Sequence, residues 1–289
     1  HGSKGIITAY KLARQVFIPG GNNRVILASD GDFNVGVTSR GELQKLIERQ
    51  RESKVYLTVL GFGMGNYHDD TMEVLADKGN GNYAYIDSLL EAKKVLLKER
   101  GGTFFTLAGD VKIQVEFNPA KVGAYRLIGY ENRKLNAEDF VDDKKDAGEI
   151  GAGHTVTVLY ELIPAGHKDL PNVDNLKYQQ VSNSGDEKEI MTIKLRYKPK
   201  GSEKSKEIST VLDRTENDFE KMGDDFRFAS SVAGFGMLLK KSEYSGTFDW
   251  QRCLEIIRKS RGDDPEGYRA EFLHLVEKAE MIMKNRGDQ

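Results

Sequence analysis

Apolar runs and helical stripes alternate through the first third of the chain. Residues 24–28 and 55–60 are short, almost continuous apolar runs, which are typical of strands buried on both faces. A third short strand is predicted at 83–86, and apolar residues at helical spacing predict helices around these runs. The predicted helices cover 4–16, 40–52, 72–76 and 89–97. Such alternation forms right-handed crossovers, so we predict an α/β domain with a Rossmann-like parallel sheet over residues 1–102.

The hydrophobic period changes beyond residue 102. Apolar and polar side chains alternate strictly over 111–117, as in a half-buried antiparallel strand. Further candidate strands lie at 125–127, 156–162 and 191–197. These runs predict an antiparallel, β-sandwich-like domain over residues 103–202, with long polar loops between its strands.

Helical spacing returns near residue 216. Three apolar stripes run from Phe219 to Met237, from Trp250 to Ile257 and from Tyr268 to Ile282. They predict a C-terminal helical cluster over residues 203–289, packed on the β-rich domain.

Two short motifs refine the predicted helices. Asp264 and Pro265 are expected to begin the last one as N-cap and first-turn residue. Gly234 and Gly236 each cost a helix roughly 1 kcal/mol relative to Ala. We therefore expect close packing of this pair against the β-rich domain, and strong destabilisation by Gly236→Leu.

Composition narrows the classes of function. The 289 residues are 38% hydrophobic and 30% charged, and no apolar run approaches the roughly 18 residues of a membrane span. Lys and Arg number 43 against 45 Asp and Glu and are scattered, so nucleic acid is not an expected partner. The one cysteine, Cys253, cannot form an internal disulfide, and its apolar neighbours favour a buried structural thiol.

Candidate chemistry lies directly after the first apolar run. Residues 29–36 read Ser-Asp-Gly-Asp-Phe-Asn-Val-Gly, which places Asp30 at the carboxyl end of a buried parallel strand. Open α/β sheets bind ligands at this edge, and carboxylate oxygens there suit a hard cation such as Mg2+. The alternative is that Asp30 and Asp32 only shape a turn around Gly31.

The same segments resemble a known family. Residues 29–31, 61–63 and 81–83, with the runs before them, are similar to the second half of a von Willebrand factor type A (VWA) domain. A closer resemblance, over nearly the whole chain, is to the YfbK-type branch of bacterial VWA proteins. In that branch the VWA domain precedes a C-terminal domain of unknown function. The segments that carry this resemblance are 20–27, 29–36 and 226–236.

The resemblance implies an incomplete metal site. VWA domains bind Mg2+ at a metal-ion-dependent adhesion site (MIDAS), built from an Asp-x-Ser-x-Ser motif, a Thr in a later loop and an Asp after the fourth strand. Asp30 matches that last Asp, whereas no Asp-x-Ser-x-Ser lies upstream of it and Gly2-Ser3-Lys4 is a broken remnant of the Thr-bearing loop. We interpret residues 1–102 as the C-terminal part of a VWA domain, which binds Mg2+ only in the complete domain.

The same resemblance implies that one strand of the sheet is missing. The strand that should flank residues 24–28 in the family's sheet is absent from the sequence, which predicts an open apolar edge that soluble proteins normally cover. The expectation is that the chain is a fragment, or that another chain supplies the missing half.

The resemblance implies a non-enzymatic binding or adhesion module of the bacterial cell envelope. The protein would be periplasmic or surface-exposed, and a lipoprotein anchor is one form that this location can take. Its expected partner is a protein that presents an acidic group to the metal. The alternative is a structural or assembly scaffold with an unused metal site, and loss of partner binding on removal of Asp30 would separate the two.

Enzymatic interpretations have little support in the sequence. The segment 61–66 lacks the third Gly of a dinucleotide loop, and no Gly-x-Ser-x-Gly elbow occurs. His68-Asp69-Asp70 is interpreted as a helix cap rather than a metal site. The segment 142–146 is interpreted as a solvated loop, and His154 and His167 as surface or packing residues.

Overall fold

The computed structural model describes seven parts of the chain, and they form two compact units. The described residues are 2–30, 39–63, 68–130, 133–168, 170, 188–213 and 218–287. The first unit comprises residues 1–114, 135–155 and 193–209, and the second comprises 115–134, 156–192 and 210–289.

The strands and helices have the following bounds. The strands are β1 (Arg24–Ser29), β2 (Tyr56–Gly61), β3 (Tyr83–Tyr85), β4 (Thr106–Phe117), β5 (Val122–Ile128), β6 (Gly148–Gly151), β7 (Leu159–Pro164), β8 (Met191–Pro199) and β9 (Lys206–Leu212). The α-helices are α1 (Gly2–Gln15), α2 (Arg40–Arg51), α3 (Asp69–Lys78), α4 (Leu89–Lys93), α5 (Arg100–Phe104), α6 (Asp224–Leu239), α7 (Trp250–Lys259) and α8 (Tyr268–Gly287). A π-helical turn lies at Lys94–Lys98, and 3-10 turns lie at Ala137–Phe140, Phe219–Lys221 and Glu243–Ser245.

A parallel sheet in the order β1-β2-β3 organises the amino-terminal part of the first unit. Five of the six residues of β2 are buried, as its apolar run predicts. Helices α1, α2 and α3 cover the sheet through one apolar core. The core residues are Ile6, Tyr10, Leu43, Ile47, Val55, Leu57, Val59, Met72, Leu75 and Ala76. The predicted α/β arrangement with a parallel sheet is confirmed.

Antiparallel pairing follows, as the change of period predicts. Strands β6, β4, β8 and β9 form one sheet in that order, and β4 pairs antiparallel with β6. A bulge interrupts this pairing between Ala108 and Val111, where Asp110 has φ of 50°. Its carboxylate accepts a hydrogen bond from the Ala147 amide at 3.2 Å and pairs with Lys198 at 2.6 Å, which stabilises the bulge.

The second unit combines a β-ribbon with the C-terminal helices. Strands β5 and β7 pair antiparallel. Helices α6, α7 and α8 surround a core of Phe235, Cys253, Leu254, Ile257 and Val276, so the predicted helical stripes are confirmed. Within the described part of the chain, no helix is long and apolar enough to cross a membrane.

The start of α8 differs from the sequence-based prediction. The helix begins at Tyr268 rather than next to Asp264 and Pro265. Gly267 has φ of 79°, a left-handed conformation that cannot continue a right-handed helix, so the helix starts after it. Asp264 still serves the first turn, because its carboxylate accepts a hydrogen bond from the Ala270 amide at 2.8 Å.

Candidate functional site

The carboxyl ends of β1 and β2 lie side by side in the first unit. Asp30 directly follows β1 and is exposed, and Gly63 lies two residues beyond β2. Gly63 has φ of 109°, and a Cβ placed on it would lie 3.4 Å from the Asp30 Cβ. A larger residue at 63 would therefore be strained and would touch the base of the Asp30 side chain.

Two tyrosines of β3 donate hydrogen bonds to the segments that follow β2. The Tyr85 hydroxyl donates a hydrogen bond to the Gly63 carbonyl, and the Tyr83 hydroxyl donates one to the Asp69 carboxylate at the start of α3. We call Asp30, Gly63 and Tyr85 the carboxyl edge. It places one carboxylate and one phenol where an open α/β sheet binds ligands.

The described residues supply only part of a metal site. Among them, no group of three or more His, Cys, Asp or Glu side chains is placed to hold a metal ion. Asp32 and Asn34 belong to residues 31–38, which lie outside the described residues. The role of Asp30 as a Mg2+ ligand therefore stays a prediction.

The segment Gly2-Ser3-Lys4 is the first turn of α1, and Ser3 is buried. Its correspondence to the Thr-bearing loop of the family stays a prediction. The apolar residues Ile6 and Tyr10 lie four positions apart and are both buried in the core. This helical spacing favours a helix that includes the segment.

The open edge predicted beside residues 24–28 is present. Among the described strands β1 pairs only with β2, and the Ile26 side chain is 52% exposed. An edge strand with apolar side chains presents unpaired backbone groups to any further strand that can align with it.

Two weaker sequence candidates have structural roles. Asp69 and Asp70 occupy the first turn of α3, where carboxylates interact favourably with the helix dipole, although the preceding His68 makes no side-chain cap. Cys253 is fully buried, and burial raises the pKa of its thiol to about 12, so it is not an activated nucleophile.

The segment 142–146 is a largely exposed loop, as the sequence predicts, and ion pairs hold it in place. Asp143 accepts hydrogen bonds from the Ser205 hydroxyl at 2.6 Å and the Arg196 guanidinium at 2.9 Å, and these bonds lower its pKa to about 2. Asp146 pairs with Arg51 at 2.8 Å. Oppositely charged partners that are distant in the sequence hold the segment, and a local pattern of Asp and Lys cannot reveal them.

A second polar cluster, which the sequence did not indicate, lies near the amino ends of β1 and β2. Arg24 donates hydrogen bonds to the hydroxyls of Thr58 at 2.6 Å and Thr106 at 3.2 Å, and lies over the Tyr56 ring at 5.6 Å. Its Nε atom is buried and has no hydrogen-bond partner among the described residues, and burial lowers the pKa of the guanidinium. Arg24 thereby links β1, β2 and β4.

Glu149 of β6 is the most strongly perturbed carboxyl of this region. Burial raises its pKa to about 8, and the negative charges of Asp146, Asp77 and Asp110 act in the same direction, against the opposing effect of Arg51. A carboxyl of this kind is largely protonated at neutral pH. It therefore responds to pH, but it has no evident part in a binding site for metal or for an acidic partner.

Together these features define a mixed α/β protein with an acidic carboxyl edge, antiparallel strands and C-terminal helices. Residues 102–282 match the family described as "Uncharacterized protein YfbK, C-terminal". The chain is also 43% identical over 286 residues to the uncharacterized protein YfbK of Escherichia coli (strain K12), covering 98% of this chain and 49% of that protein. The chain therefore belongs to the YfbK family, and it spans about half the length of this curated relative.

A solved structure is also similar to the chain. It is a von Willebrand factor type A protein from Catenulispora acidiphila, with a TM-score of 0.37 and 13% sequence identity, and the match covers 87% of this chain and 59% of that one.

Proposed function

We propose that the chain is part of a non-enzymatic protein-binding module, in which the carboxyl edge holds Mg2+ once further polypeptide completes it. The observation that carries the proposal is the position of Asp30, exposed at the end of an edge strand whose outer side is open. The sequence resemblance to VWA domains supports the same assignment for Asp30.

The carboxylate of Asp30 alone supplies too few ligands for Mg2+. This ion requires nearly ideal octahedral coordination by oxygen atoms, several of which can be water. A strand added parallel to β1 would end next to Asp30, because the carboxyl ends of parallel strands meet at one edge. Completion of the sheet would then also complete the metal site, and one open coordination position would receive an acidic group of a partner protein.

The test compares metal binding by this chain and by the longer E. coli relative. Thermal unfolding is followed in EDTA, Mg2+ and Mn2+, because a ligand that binds only the folded state raises its stability by RT ln(1 + [L]/Kd). The expected result is a metal-dependent shift for the relative, lost when its counterpart of Asp30 becomes Ala, and no shift for this chain. A matched control replaces the counterpart of Glu52, an exposed carboxylate that follows α2 and precedes the amino end of β2.

Failure of the relative to bind either metal, or retention of binding without the Asp30 counterpart, would overturn the metal assignment. Partner binding that persists in EDTA would instead favour the scaffold alternative with an unused site.

The proposed location is the bacterial cell envelope, and fractionation of cells that express the longest form of the protein tests it. Recovery of all the protein with the cytoplasmic fraction would contradict it.

A further inference from the structure

A groove of about 310 Å³ lies within the second unit, among β7, α6, α7 and the 3-10 turn Glu243–Ser245. Its apolar lining consists of Phe219, Met237, Phe248 and Ile256. The volume is at the lower end of the range of about 300–1,000 Å³ that is usual for ligand pockets, enough for one large side chain. The function proposed above leaves this groove unused.

One wall of the groove is held by a group of interlocking side chains. Arg126 of β5 and Glu161 of β7 are cross-strand partners. The Arg126 guanidinium also lies over the Tyr244 ring at 4.2 Å and approaches the Met237 sulfur at 3.6 Å. These contacts fix side chains of types that are enriched at protein interfaces, namely Arg, Tyr and Met, and so reduce the entropy lost on binding.

The guanidinium groups at the groove already have acidic partners. Arg252 pairs with Glu220 at 2.7 Å and with Glu255 at 2.8 Å. Arg126 donates from both Nε and Nη2 to the same oxygen, Oε2 of Glu161. No other described residue donates a hydrogen bond to the second oxygen, Oε1, and the Glu161 side chain is 49% exposed. The groove therefore favours a ligand that brings a positively charged donor, not a second carboxylate.

We propose that this groove binds a peptide segment in which a large apolar side chain neighbours a Lys or Arg. The apolar side chain packs against Met237, Phe248 and Ile256, and the basic residue donates a hydrogen bond to Oε1 of Glu161. This interaction is independent of the metal site, because no group of the carboxyl edge takes part in it.

The test uses the chain with ¹³C-labelled methionine methyl groups, in EDTA, with three blocked peptides. The probe is acetyl-Gly-Phe-Lys-Gly-amide, and the comparison peptides replace its Lys by Glu or its Phe by Ala. The expected result is a saturable shift of the Met237 methyl signal with the probe and little shift with either comparison peptide. Met281, exposed on α8 of the same unit, serves as the internal control signal and stays in place.

Substitution of Glu161 tests the polar half of the proposal. Glu161→Gln keeps an acceptor for Arg126 but removes the charge, so the affinity for the probe is expected to fall roughly tenfold, as loss of a charge-assisted hydrogen bond implies. Glu271→Gln, the same change at an exposed position of α8, is expected to leave the affinity unchanged.

Three outcomes would overturn the proposal. They are a Met237 signal that does not move at millimolar probe, equal binding of the Glu-containing or Ala-containing peptide, and equal affinity of Glu161→Gln and wild type. The peptide comparison needs no variant, so it decides the question even if Glu161→Gln does not fold.

Discussion

Phe248 lies directly against the backbone of Gly234. A Cβ placed on Gly234 would be 2.3 Å from the Phe248 Cζ and 2.4 Å from its Cε1, whereas a Cβ on Gly236 would meet no atom within 4 Å. The close packing expected from this glycine pair therefore occurs at Gly234. Its partner is the Phe248 ring, which precedes α7, rather than the β-rich domain that the sequence suggested. No close packing occurs at the Cβ position of Gly236, and the strong effect of Gly236→Leu stays a prediction.

Replacement of the two glycines by Ala should have opposite effects. Gly234→Ala gains roughly 1 kcal/mol of helix propensity but forces the Phe248 ring to move, at a cost of about 1–3 kcal/mol. We expect a net loss of stability for Gly234→Ala and a gain of roughly 1 kcal/mol for Gly236→Ala. Urea unfolding of the two variants measures this, and equal effects at both positions would contradict the packing argument.

The sequence predicts the strands and helices in which buried and exposed side chains follow a regular pattern. The buried run of β2 and the stripes of α6 and α7 are examples, because burial on a regular backbone leaves a regular pattern. Strand β9 was missed because all seven of its residues are exposed. Strand β6 was missed because it has only four residues within a polar segment.

The residues of the candidate site also differ in whether the sequence can predict them. Asp30 could be found because an acidic residue after an apolar run is a local signal. Arg24 and Glu149 could not, since their environments depend on Thr106, Asp146 and other residues distant in the sequence. Local patterns do not encode which charges a fold will bury together.

Tyr10 provides a test of an unpaired buried hydroxyl. The residue is fully buried in the core of the first unit, and its hydroxyl has no hydrogen-bond partner among the described residues. Tyr10→Phe removes that hydroxyl and keeps the ring, so we expect stability equal to or above that of wild type. Tyr10→Ala should cost about 3–5 kcal/mol, as for other large aromatic residues in cores. A marked loss in thermal stability for Tyr10→Phe would show that the hydroxyl has a stabilising partner.

Lys112 is expected to hold the segment that follows it in the same unit. The residue is only 3% exposed, and its ammonium donates to the carbonyls of Asp139 at 3.0 Å and Asp142 at 2.5 Å. Lys112→Met keeps the apolar stem but leaves both carbonyls without this donor, at an expected cost of about 1–3 kcal/mol. Amide hydrogen exchange should become faster in residues 137–146. The control is Lys45→Met, on the exposed side of α2, which should change neither the stability nor the exchange rate of this segment. Unchanged exchange in Lys112→Met would argue against the anchoring role.

Glu149 should make stability fall as pH rises. Its pKa is raised from an ordinary 4.5 to about 8 in the folded protein. Between these values the folded state keeps a proton that the unfolded state has lost, so raising the pH favours unfolding. The stability that this group contributes is complete below about pH 4.5 and is lost as the pH passes through about 8. Each pKa unit corresponds to about 1.4 kcal/mol, so the total is on the order of a few kcal/mol.

Glu149→Gln removes this titration and keeps the size of the side chain. We expect its free energy of unfolding, measured with urea from pH 5 to pH 9, to fall less steeply with pH than that of wild type. Other titrating groups are common to both proteins, so the difference between the two curves isolates Glu149. Glu138→Gln, an exposed position of the same unit, should follow the wild-type curve. Parallel curves for wild type and Glu149→Gln would mean that Glu149 has an ordinary pKa and is reached by solvent.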